Sequence, residues 1–256
     1  MTHATHAALP LAEQVALVTG ASGGIGAAIA LGLAQAGAEV VCHGNSKAPG
    51  ATCEGVRRLG RRALAVRGDL TKRSTAAALV GEAIEHFGKI DILINNAGTI
   101  RRGPTATLPE ADWDTVIDVN LSSVFRLAQA TGAHMLERGR GKIVNVASLL
   151  SFQGGVFVAA YAASKGGVAQ LTKALANEWA AKGINVNAIA PGYVRTDNTA
   201  ALQGDPIRNR QILERIPAGR WGDPADIAGA AVFLCSRASD YVHGHVLVVD
   251  GGWMGR

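Results

Sequence analysis

Aromatic residues, cysteines and an export signal are scarce or missing in this sequence. Only 5% of its 256 residues are aromatic, so its core must be built from aliphatic side chains, with 32 glycines available for tight turns. Three cysteines (Cys42, Cys53 and Cys235) without a CxxC pair exclude a disulfide framework and structural zinc, so we predict a cytoplasmic location and no bound metal. The first ten residues, MTHATHAALP, contain neither a basic nor an apolar segment and predict no signal peptide.

Charge is also sparse, and no long tract carries a single sign. With 18% charged and 48% hydrophobic residues, the chain does not have the composition of a disordered protein. The net charge of +5 comes from arginines scattered without interleaved aromatic residues. This pattern indicates a solvated surface that can attract small anions, and it predicts no nucleic-acid partner. The uncharged stretch 15–38 is interrupted by glycines, so we predict no membrane span.

What the sequence does contain is an alternation of short apolar runs with helical patterns. Parallel βαβ units produce such an alternation, because each strand is connected to the next by a helix that covers the sheet. We predict an α/β fold with a single doubly wound domain over 1–256, a seven-stranded parallel sheet and helices on both faces. The predicted strands are 15–19, 39–43, 63–67, 91–94, 142–147, 185–190 and 246–249, and the helices lie near 24–36, 51–59, 72–87, 110–137, 161–182 and 224–236. The Gly- and Pro-rich stretch 191–223 is predicted to be an irregular substrate loop or lid.

A glycine-rich turn follows the first predicted strand and opens the first helix. Gly20, Gly24 and Gly26 have the spacing GxxxGxG. Glycines let the backbone approach a pyrophosphate closely, and the N-terminus of the helix supplies N–H donors and a favourable dipole. The turn therefore predicts a dinucleotide site, although a tight strand–helix connection without a ligand has the same pattern.

The end of the second predicted strand, HGNSK, bears on the choice of cofactor. An acidic residue there would bind the ribose 2′-OH of NAD and repel the 2′-phosphate of NADP. This segment has no acid, and Asn45, Ser46 and Lys47 can receive a phosphate, whereas the glycine turn contains no arginine. The sequence favours NADP(H), with NAD(H) or dual use left open.

Tyr161 and Lys165 form a YxxxK pair that shares one face of a predicted helix. A nearby ammonium lowers the pKa of a tyrosine from about 10, which gives a proton donor or acceptor for carbonyl–alcohol interconversion. Ser148 follows the fifth predicted strand and can reach the same substrate oxygen. Asn120 lies in the helix before that strand, and 95–98 ends the fourth strand. Each residue alone also fits a turn, cap or strand-end role, but their order and spacing together indicate one active site.

These pieces resemble the short-chain dehydrogenase/reductase family over nearly the whole chain. The resemblance is carried by 19–26, Asp69, 95–98, Asn120, Ser148, Tyr161, Lys165, 191–192 and 250–253. It implies a Rossmann fold and an enzyme that transfers a hydride between NAD(P)(H) and a carbonyl or secondary alcohol. It also implies a general acid/base role for Tyr161 and a ribose-binding, pKa-lowering role for Lys165. Ser148 is expected to orient the carbonyl, and Asn120 to hold a water in a proton relay.

The same resemblance implies a set of cofactor contacts. Asp69 is expected at the adenine, Asn96 at the adenosine ribose, and Val194 with Thr196 at the nicotinamide carboxamide. The full set is Gly20, Ser22, Gly24, Ile25, Gly26, Asn45, Ser46, Lys47, Asp69, Leu70, Asn96, Ala97, Gly98, Tyr161, Lys165, Pro191, Gly192, Val194 and Thr196.

Within the family, the segments 95–102, 150–155, 184–193 and 216–222 resemble enzymes that act on sugar acids. This resemblance implies a uronate-derived keto acid as substrate, such as 2-dehydro-3-deoxy-gluconate or 4-deoxy-5-hexoseulose uronate. NADPH use would favour the reductive direction. Arg101 and Arg102 are the candidate receptors for the carboxylate, because a guanidinium fork suits that group. Gln153 and Tyr193 are the other expected substrate contacts.

Two other functions remain open. A 3-oxoacyl-carrier-protein reductase has the same catalytic residues and frequent NADP use, but it needs a basic docking surface and an open apolar lip. A non-catalytic cofactor-sensing protein is opposed by the complete set of catalytic residues.

For the assembly, the family resemblance and apolar stripes on two predicted helices predict a homotetramer. The stripes are formed by Trp113, Val116, Val124, Leu127, Val168, Leu171 and Leu175.

Overall fold

Seven parallel strands form one sheet in the computed structural model, which describes residues 9–256. Their order across the sheet is β3-β2-β1-β4-β5-β6-β7. The strands are β1 (Val15–Val18), β2 (Glu39–Gly44), β3 (Ala63–Arg67), β4 (Ile92–Asn95), β5 (Gly141–Val146), β6 (Ile184–Pro191) and β7 (Val246–Val249). The strand order reverses between β1 and β4, which defines a doubly wound sheet. The predicted fold class and all seven predicted strands are confirmed.

Nine helices accompany the sheet within the described residues. They are α1 (Gly24–Gln35), α2 (Gly50–Arg58), α3 (Thr75–Phe87), α4 (Glu110–Ile117), α5 (Ser123–Arg138), α6 (Ala159–Trp179), α7 (Ala200–Gly204), α8 (Pro206–Arg215) and α9 (Pro224–Cys235). Helices α1, α2 and α9 pack on one face of the sheet, and α3, α5 and α6 on the other. Along β1, Ala16 and Val18 face the first layer while Val15 and Leu17 face the second, so the strand is apolar on both sides.

The helix predicted over 110–137 is divided in two. A π-helical turn, Asp118–Ser122, separates α4 from α5 and contains Asn120, which is completely buried. Turns of this kind inside a helix are rare and are frequent at functional sites. Hydrophobic periodicity did not reveal it, because the apolar pattern continues on both sides of the turn.

The prediction that 191–223 is irregular was wrong, since the segment contains α7 and α8. The N-terminus of α8 is capped by Asp205, whose Oδ1 accepts the backbone N–H groups of Ile207 (2.9 Å) and Arg208 (3.1 Å). Pro206 occupies the first helical position, where a missing N–H has no cost. The Asp-Pro pair was therefore a helix-start signal that the composition of the segment masked.

The apolar stripes that supported an assembly are mostly part of the subunit's own core. Five of their seven side chains are buried within the described chain: Val116, Val124, Leu127, Val168 and Leu175. This corrects their predicted role, because these residues pack between the helices and the sheet. Trp113 and, outside the predicted stripes, Phe125 are the large apolar side chains of this region that are exposed. Over residues 9–256, no helix combines the length and apolar character needed to cross a membrane.

Candidate active site

A cleft of about 330 Å³ opens at the carboxyl ends of the central strands. Gly20 follows β1, Asn96 follows β4, Ser148 follows β5, and Pro191 ends β6, and all four line the cleft. Ligands of doubly wound folds bind at this edge, next to the point where the strand order reverses. The topology therefore brings together residues that are far apart in the sequence.

Most of the predicted site residues line this cleft. They are Gly20, Ser22, Gly24, Ile25, Gly26, Lys47, Asn96, Ala97, Gly98, Ser148, Tyr161, Lys165, Pro191, Gly192, Val194 and Thr196. Six further lining residues were not predicted: Gly23, Val146, Ala147, Asp197, Asn198 and Thr199. The remaining candidates lie behind or beside the cleft.

The glycine turn forms one end of the cleft and fits an anionic group. A Cβ on Gly26 would collide with the carbonyl oxygen of Gly20, and Gly20 itself has a φ of +65° and lies against Ala97. Helix α1 starts at Gly24 with no side-chain cap, so its first N–H groups are left for another acceptor. The Lys47 ammonium stands 3.8 Å from the position of a Cβ on Gly23. A bare helix N-terminus beside an ammonium suits the diphosphate of a dinucleotide.

His43 anchors the glycine turn from the end of β2. Its Nδ1 accepts the N–H of Gly20 (3.3 Å), and its Nε2 lies 3.0 Å from the carbonyl oxygen of Gly68. The Gly20 N–H can only donate, so His43 is neutral and carries its proton on Nε2. Burial lowers the pKa of His43 below 6.5, which agrees with this state. His43 begins the HGNSK segment, and its role was not predicted from the sequence.

The loop after β2 is only partly directed at the cleft. Ser22 Oγ donates to the carbonyl oxygen of Lys47 (2.6 Å), which ties the loop to the glycine turn. The carbonyl oxygens of Asn45 and Ser46 accept from the Arg67 guanidinium, each at 3.1 Å, and neither residue lines the cleft. Arg67 ends β3 and was not predicted to take part. The predicted phosphate contact thus rests on Lys47 among the three residues.

Asp69 and Leu70, the other expected adenosine contacts, also lie outside the cleft lining. Asp69 Oδ1 accepts the N–H (3.0 Å) and the hydroxyl (2.8 Å) of Thr71, and these hydrogen bonds hold the pKa of the carboxyl below its usual range. Leu70 is buried in the core on the α3 side of the sheet. Asp69 therefore caps a local turn in this structure.

Tyr161 and Lys165 lie near the start of α6, with the Lys165 ammonium 5.7 Å from the centroid of the Tyr161 ring. Lys165 Nζ donates to the carbonyl oxygen of Val146 (2.6 Å), and its burial lowers the lysine pKa to about 8. Burial raises the pKa of Tyr161 and outweighs a hydrogen bond with Ser148 and the charge of Arg102, which both lower it. The phenol is therefore protonated at neutral pH. The sequence predicted a lowered tyrosine pKa, whereas the pKa is raised in this structure.

Ser148 and Asn120 are held by different backbone segments. Ser148 Oγ accepts the N–H of Leu150 (3.2 Å) and so caps the short turn after β5. Asn120 Oδ1 accepts the N–H of Thr99 (2.8 Å), while its Nδ2 donates to the carbonyl oxygen of Thr99 (2.9 Å) and to Ser164 Oγ (3.1 Å). The side-chain amide of Asn120 therefore fixes the segment after β4 against α6.

The two candidate arginines are turned in different directions. Arg101 donates to Thr99 Oγ1 (3.1 Å) and pairs with Asp112 (3.4 Å) on the surface. Arg102 donates to the carbonyl oxygen of Asn198 (3.3 Å), a residue that lines the cleft, and its charge acts on Tyr161. Only Arg102 of the pair is therefore directed at the catalytic residues.

Gln153 and Tyr193 belong to an aromatic cluster beside the cleft. Gln153 Oε1 accepts the indole N–H of Trp253 at 3.3 Å. The Tyr193 ring packs against Trp253 at 4.6 Å and, edge to face, against Trp221 at 5.5 Å between centroids. Ile212 of α8 completes this layer, so the cluster supports the segment predicted as a lid.

Thr199 organises the beginning of that segment. Its Oγ1 donates to the carbonyl oxygen of Val194 (2.7 Å) and accepts the N–H of Thr196 (3.1 Å). Thr196 and Thr199 form a capping box around the turn Asp197–Thr199. The signal in the sequence was the spacing of two threonines before a helical stretch, which the prediction of an irregular loop overlooked.

Comparison with known proteins identifies the family. A protein-family model described as enoyl-(acyl carrier protein) reductase matches residues 20–254. The chain belongs to the short-chain dehydrogenase/reductase family, whose members are NAD(P)-dependent oxidoreductases, and the predicted resemblance is confirmed.

Individual relatives are similar over almost the full chain. The 2-dehydro-3-deoxy-D-gluconate 5-dehydrogenase of Escherichia coli is 52% identical over 250 residues, which cover 97% of this chain and 98% of that protein. The enzyme of the same name from Pseudoalteromonas atlantica is 54% identical over 248 residues, 96% of this chain and 98% of that protein. A crystal structure of an Agrobacterium tumefaciens protein with bound NADP is 55% identical, covers 98% of this chain and 100% of that chain, and superimposes with a TM-score of 0.89.

Proposed function

We propose that this protein is an NADP(H)-dependent oxidoreductase that interconverts a carbonyl and a secondary alcohol of a sugar acid. The observation that carries the proposal is the buried Lys165 beside the Tyr161 phenol, at the mouth of a glycine-lined cleft. Two relatives more than 50% identical, named for a 5-dehydrogenase of 2-dehydro-3-deoxy-D-gluconate, support the substrate class. We expect a uronate-derived keto acid, either that compound or 4-deoxy-5-hexoseulose uronate.

The cofactor is proposed to lie along the glycine turn, with its diphosphate at the N-terminus of α1. Lys47 supplies a positive charge there, and no carboxylate of HGNSK opposes a 2′-phosphate. A protein 55% identical to this chain holds NADP, which supports the same choice. When bound, NADPH supplies the hydride. Thr196, which stands 3.4 Å from the position of a Cβ on Gly24, is proposed to bind the nicotinamide end.

Tyr161 is proposed to be the general acid in reduction. Its phenol is protonated at neutral pH and can give its proton to the substrate oxygen as that oxygen gains negative charge. Ser148 would donate a hydrogen bond to the same oxygen. Lys165 would stabilise the phenolate that remains, since its ammonium is fixed by Val146 and has lost most of its water.

The proton lost by Tyr161 must be replaced from solvent, and we propose that Asn120 supports this step. The side-chain amide of Asn120 is already occupied by Thr99 and Ser164. The backbone of Asn120, within the π-helical turn Asp118–Ser122, is therefore the part of this residue that is left to hold a water beside Lys165. In this proposal the side chain of Asn120 positions the segment after β4, and its backbone holds the relay water.

Arg102 is proposed to bind the substrate carboxylate. Its guanidinium donates to the carbonyl oxygen of the cleft-lining Asn198, and its charge acts on Tyr161, whereas the adjacent Arg101 is engaged on the surface with Asp112. We expect Arg102→Ala to raise the KM for a keto acid about 10- to 100-fold, since a charge-assisted hydrogen bond is lost. Arg101→Ala is the matched control, with an expected KM change below about twofold. Equal effects of the two substitutions would contradict the assignment.

The decisive experiment measures initial rates of NADPH and NADH oxidation with a uronate-derived keto acid. Rapid oxidation of NADPH, with a much lower kcat/KM for NADH, is the expected result. Equal activity with both cofactors would overturn the NADP(H) preference but leave the substrate class intact. No oxidation of NADPH by any sugar keto acid, together with no reduction of NADP⁺ by 2-dehydro-3-deoxy-gluconate, whose C5 bears a hydroxyl, would overturn the substrate class.

A second candidate, a 3-oxoacyl-carrier-protein reductase, is favoured by one observation. Such a substrate needs an apolar lip, and Phe152, Val156 and Phe157, between Ser148 and Tyr161 in the chain, are exposed apolar side chains. An acetoacetyl thioester run beside the keto acid separates the two functions. Turnover of the thioester alone would support the reductase.

We further propose that the protein is a cytoplasmic homotetramer. The family relationship and the exposed Trp113 and Phe125 on α4 and α5 support the assembly. Three free, buried cysteines are compatible with a reducing compartment.

A further inference from the structure

The C-terminal turn reaches the segment that follows Ser148 in a fixed geometry. The two carboxylate oxygens of Asp250, just after β7, accept the N–H groups of Gly252 (2.8 Å) and Met254 (2.7 Å). Gly251 and Gly252 have φ values of +66° and +93°, and a side chain at Gly252 would press on Pro217. This turn, 250–254, therefore leaves little freedom for the residue it presents, Trp253.

Trp253 is held on several sides. The Arg215 guanidinium of α8 stacks on its ring at 4.0 Å, and the Tyr193 ring lies at 4.6 Å. Only 6% of the Trp253 surface is exposed. Its indole N–H donates to Gln153 Oε1 at 3.3 Å. The direction of this N–H is consequently set by packing and not by Gln153.

The hydrogen bond determines which way the Gln153 amide points. An indole N–H is a donor only, so the atom that faces it must be the amide oxygen. The NH₂ group of Gln153 is then turned the other way, and it has no hydrogen-bond partner within residues 9–256. Gln153 follows the turn that Ser148 caps and lies near Tyr193, which adjoins the cleft-lining Gly192.

We propose that Trp253 is a positioning residue that locks Gln153 as a donor toward the substrate, so that this part of the site favours groups that accept a hydrogen bond. The inference rests on the proposed function and adds a specificity element to it. A carbonyl, carboxylate or hydroxyl oxygen can accept from the locked NH₂ group, whereas an ammonium group at the same place would meet two donors with no acceptor. Polyoxygenated acids satisfy this requirement along their whole length.

The first test observes the hydrogen bond itself. In ¹⁵N-indole-labelled protein, Gln153→Leu is expected to shift the indole N–H resonance of Trp253, which is assigned by its loss in Trp253→Phe. The indole resonance of Trp221, which bonds Asn209 Oδ1 at 2.7 Å, should stay in place. An unmoved Trp253 resonance would overturn the inference whatever the substrate proves to be.

The second test measures the consequence for the substrate. Trp253→Phe keeps the ring but removes the N–H, so the amide can flip. We expect KM for the keto acid to rise about 3- to 10-fold, with kcat and the Kd for NADPH within about twofold. Trp221→Phe, the matched control in the same aromatic cluster, should change KM by less than about twofold. Similar effects of the two substitutions would overturn the proposal.

A double-mutant cycle separates positioning from simple packing. In the Gln153→Leu background, Trp253→Phe should add nothing to KM, because the group that it orients is already absent. Multiplicative effects of the two substitutions would assign Trp253 a packing role and overturn the inference. If the wild-type protein turns over no sugar keto acid, the proposed function fails, and the resonance test together with KM for the carbonyl compound that is turned over still decides the inference.

Discussion

At the scale of single residues, burial decides which group in the site holds a proton. Tyr161 keeps its proton because its phenolate would be poorly hydrated in this site. Burial lowers the pKa of Lys165 to about 8, so the ammonium is still charged at neutral pH. The pair is therefore arranged for donation to a carbonyl oxygen. We expect the rate of carbonyl reduction to fall as the pH rises through about 8, because Lys165 loses its charge there.

Removing the phenolic oxygen tests this arrangement with the smallest possible change. Tyr161→Phe should lower kcat by at least about 10²-fold, the usual contribution of a general acid. NADPH binding, followed by fluorescence titration, should change little. Tyr241→Phe is the control, since the Tyr241 side chain is fully exposed. Retention of full activity by Tyr161→Phe would remove it from the chemistry.

His43 predicts a pH dependence of stability. Its pKa is lowered in the folded protein, so below about pH 6.5 the unfolded chain binds a proton that the native state does not. Stability is fully present above that pH and declines as pH falls, by up to about 1.4 kcal/mol at pH 5.5. Urea unfolding at pH 7.5 and 5.5 should show a smaller decline for His43→Gln than for wild type. The surface substitution His86→Gln should behave as wild type, and an identical decline in both variants would contradict the argument.

At the scale of elements, the segment between β6 and α9 depends on helix caps. Asp205→Ala removes two hydrogen bonds from the start of α8 and should cost about 1 kcal/mol. If α8 opens locally, its amides should exchange with deuterium about fivefold faster. Asp114→Ala, on the exposed side of α4, is the control. Unchanged exchange in α8 would show that the aromatic cluster beneath it, and not the cap, sets its stability.

The π-helical turn between α4 and α5 predicts a combined effect on stability and rate. Asn120→Ala leaves both backbone groups of Thr99 without a partner and removes the hydrogen bond that Ser164 Oγ accepts, so we expect the free energy of unfolding to fall by roughly 2–4 kcal/mol. Asn120→Asp keeps the acceptor for the Thr99 N–H, but it turns a buried carboxylate oxygen toward the Thr99 carbonyl oxygen and toward Ser164 Oγ, whose hydrogen is given to Tyr161, so it should lose at least as much. Equal stability of all three proteins by chemical denaturation would contradict a positioning role.

At the scale of the whole molecule, the exposed apolar residues of α4 and α5 predict the assembly. A cavity beside Phe125 is lined by Arg73, Leu121 and Arg126, and one guanidinium nitrogen of Arg126 is buried without a hydrogen-bond partner in the described chain. Sedimentation at four times the 26.4 kDa chain mass is expected, and Phe125→Asp should reduce it. Tyr241→Asp serves as the control, and a wild-type monomer at micromolar concentration would contradict the proposal.

The sequence predicted the sheet well because strand burial on both faces leaves continuous apolar runs. It also placed Gly20 and Ser148 at one edge, since both follow strands whose carboxyl ends must meet, and it joined Lys165 to the site through its spacing from Tyr161 on one helix face. It could not separate Arg101 from Arg102, because they are neighbours outside any helix or strand and only the tertiary contacts with Asp112 and Asn198 distinguish them. The same limit applies to contacts that tertiary packing creates, such as His43 with Gly20 and Trp253 with Gln153.

The distance along the chain between Gln153 and Trp253 has a consequence for protein engineering. A chimera that exchanges everything after Pro191 with a relative would transfer Tyr193, α8 and the C-terminal turn as one block and leave the glycine turn untouched. It would also part Trp253 from the amide that it contacts. Recombination aimed at new substrates should therefore inherit the segment 149–157 from the same parent as the C-terminal third.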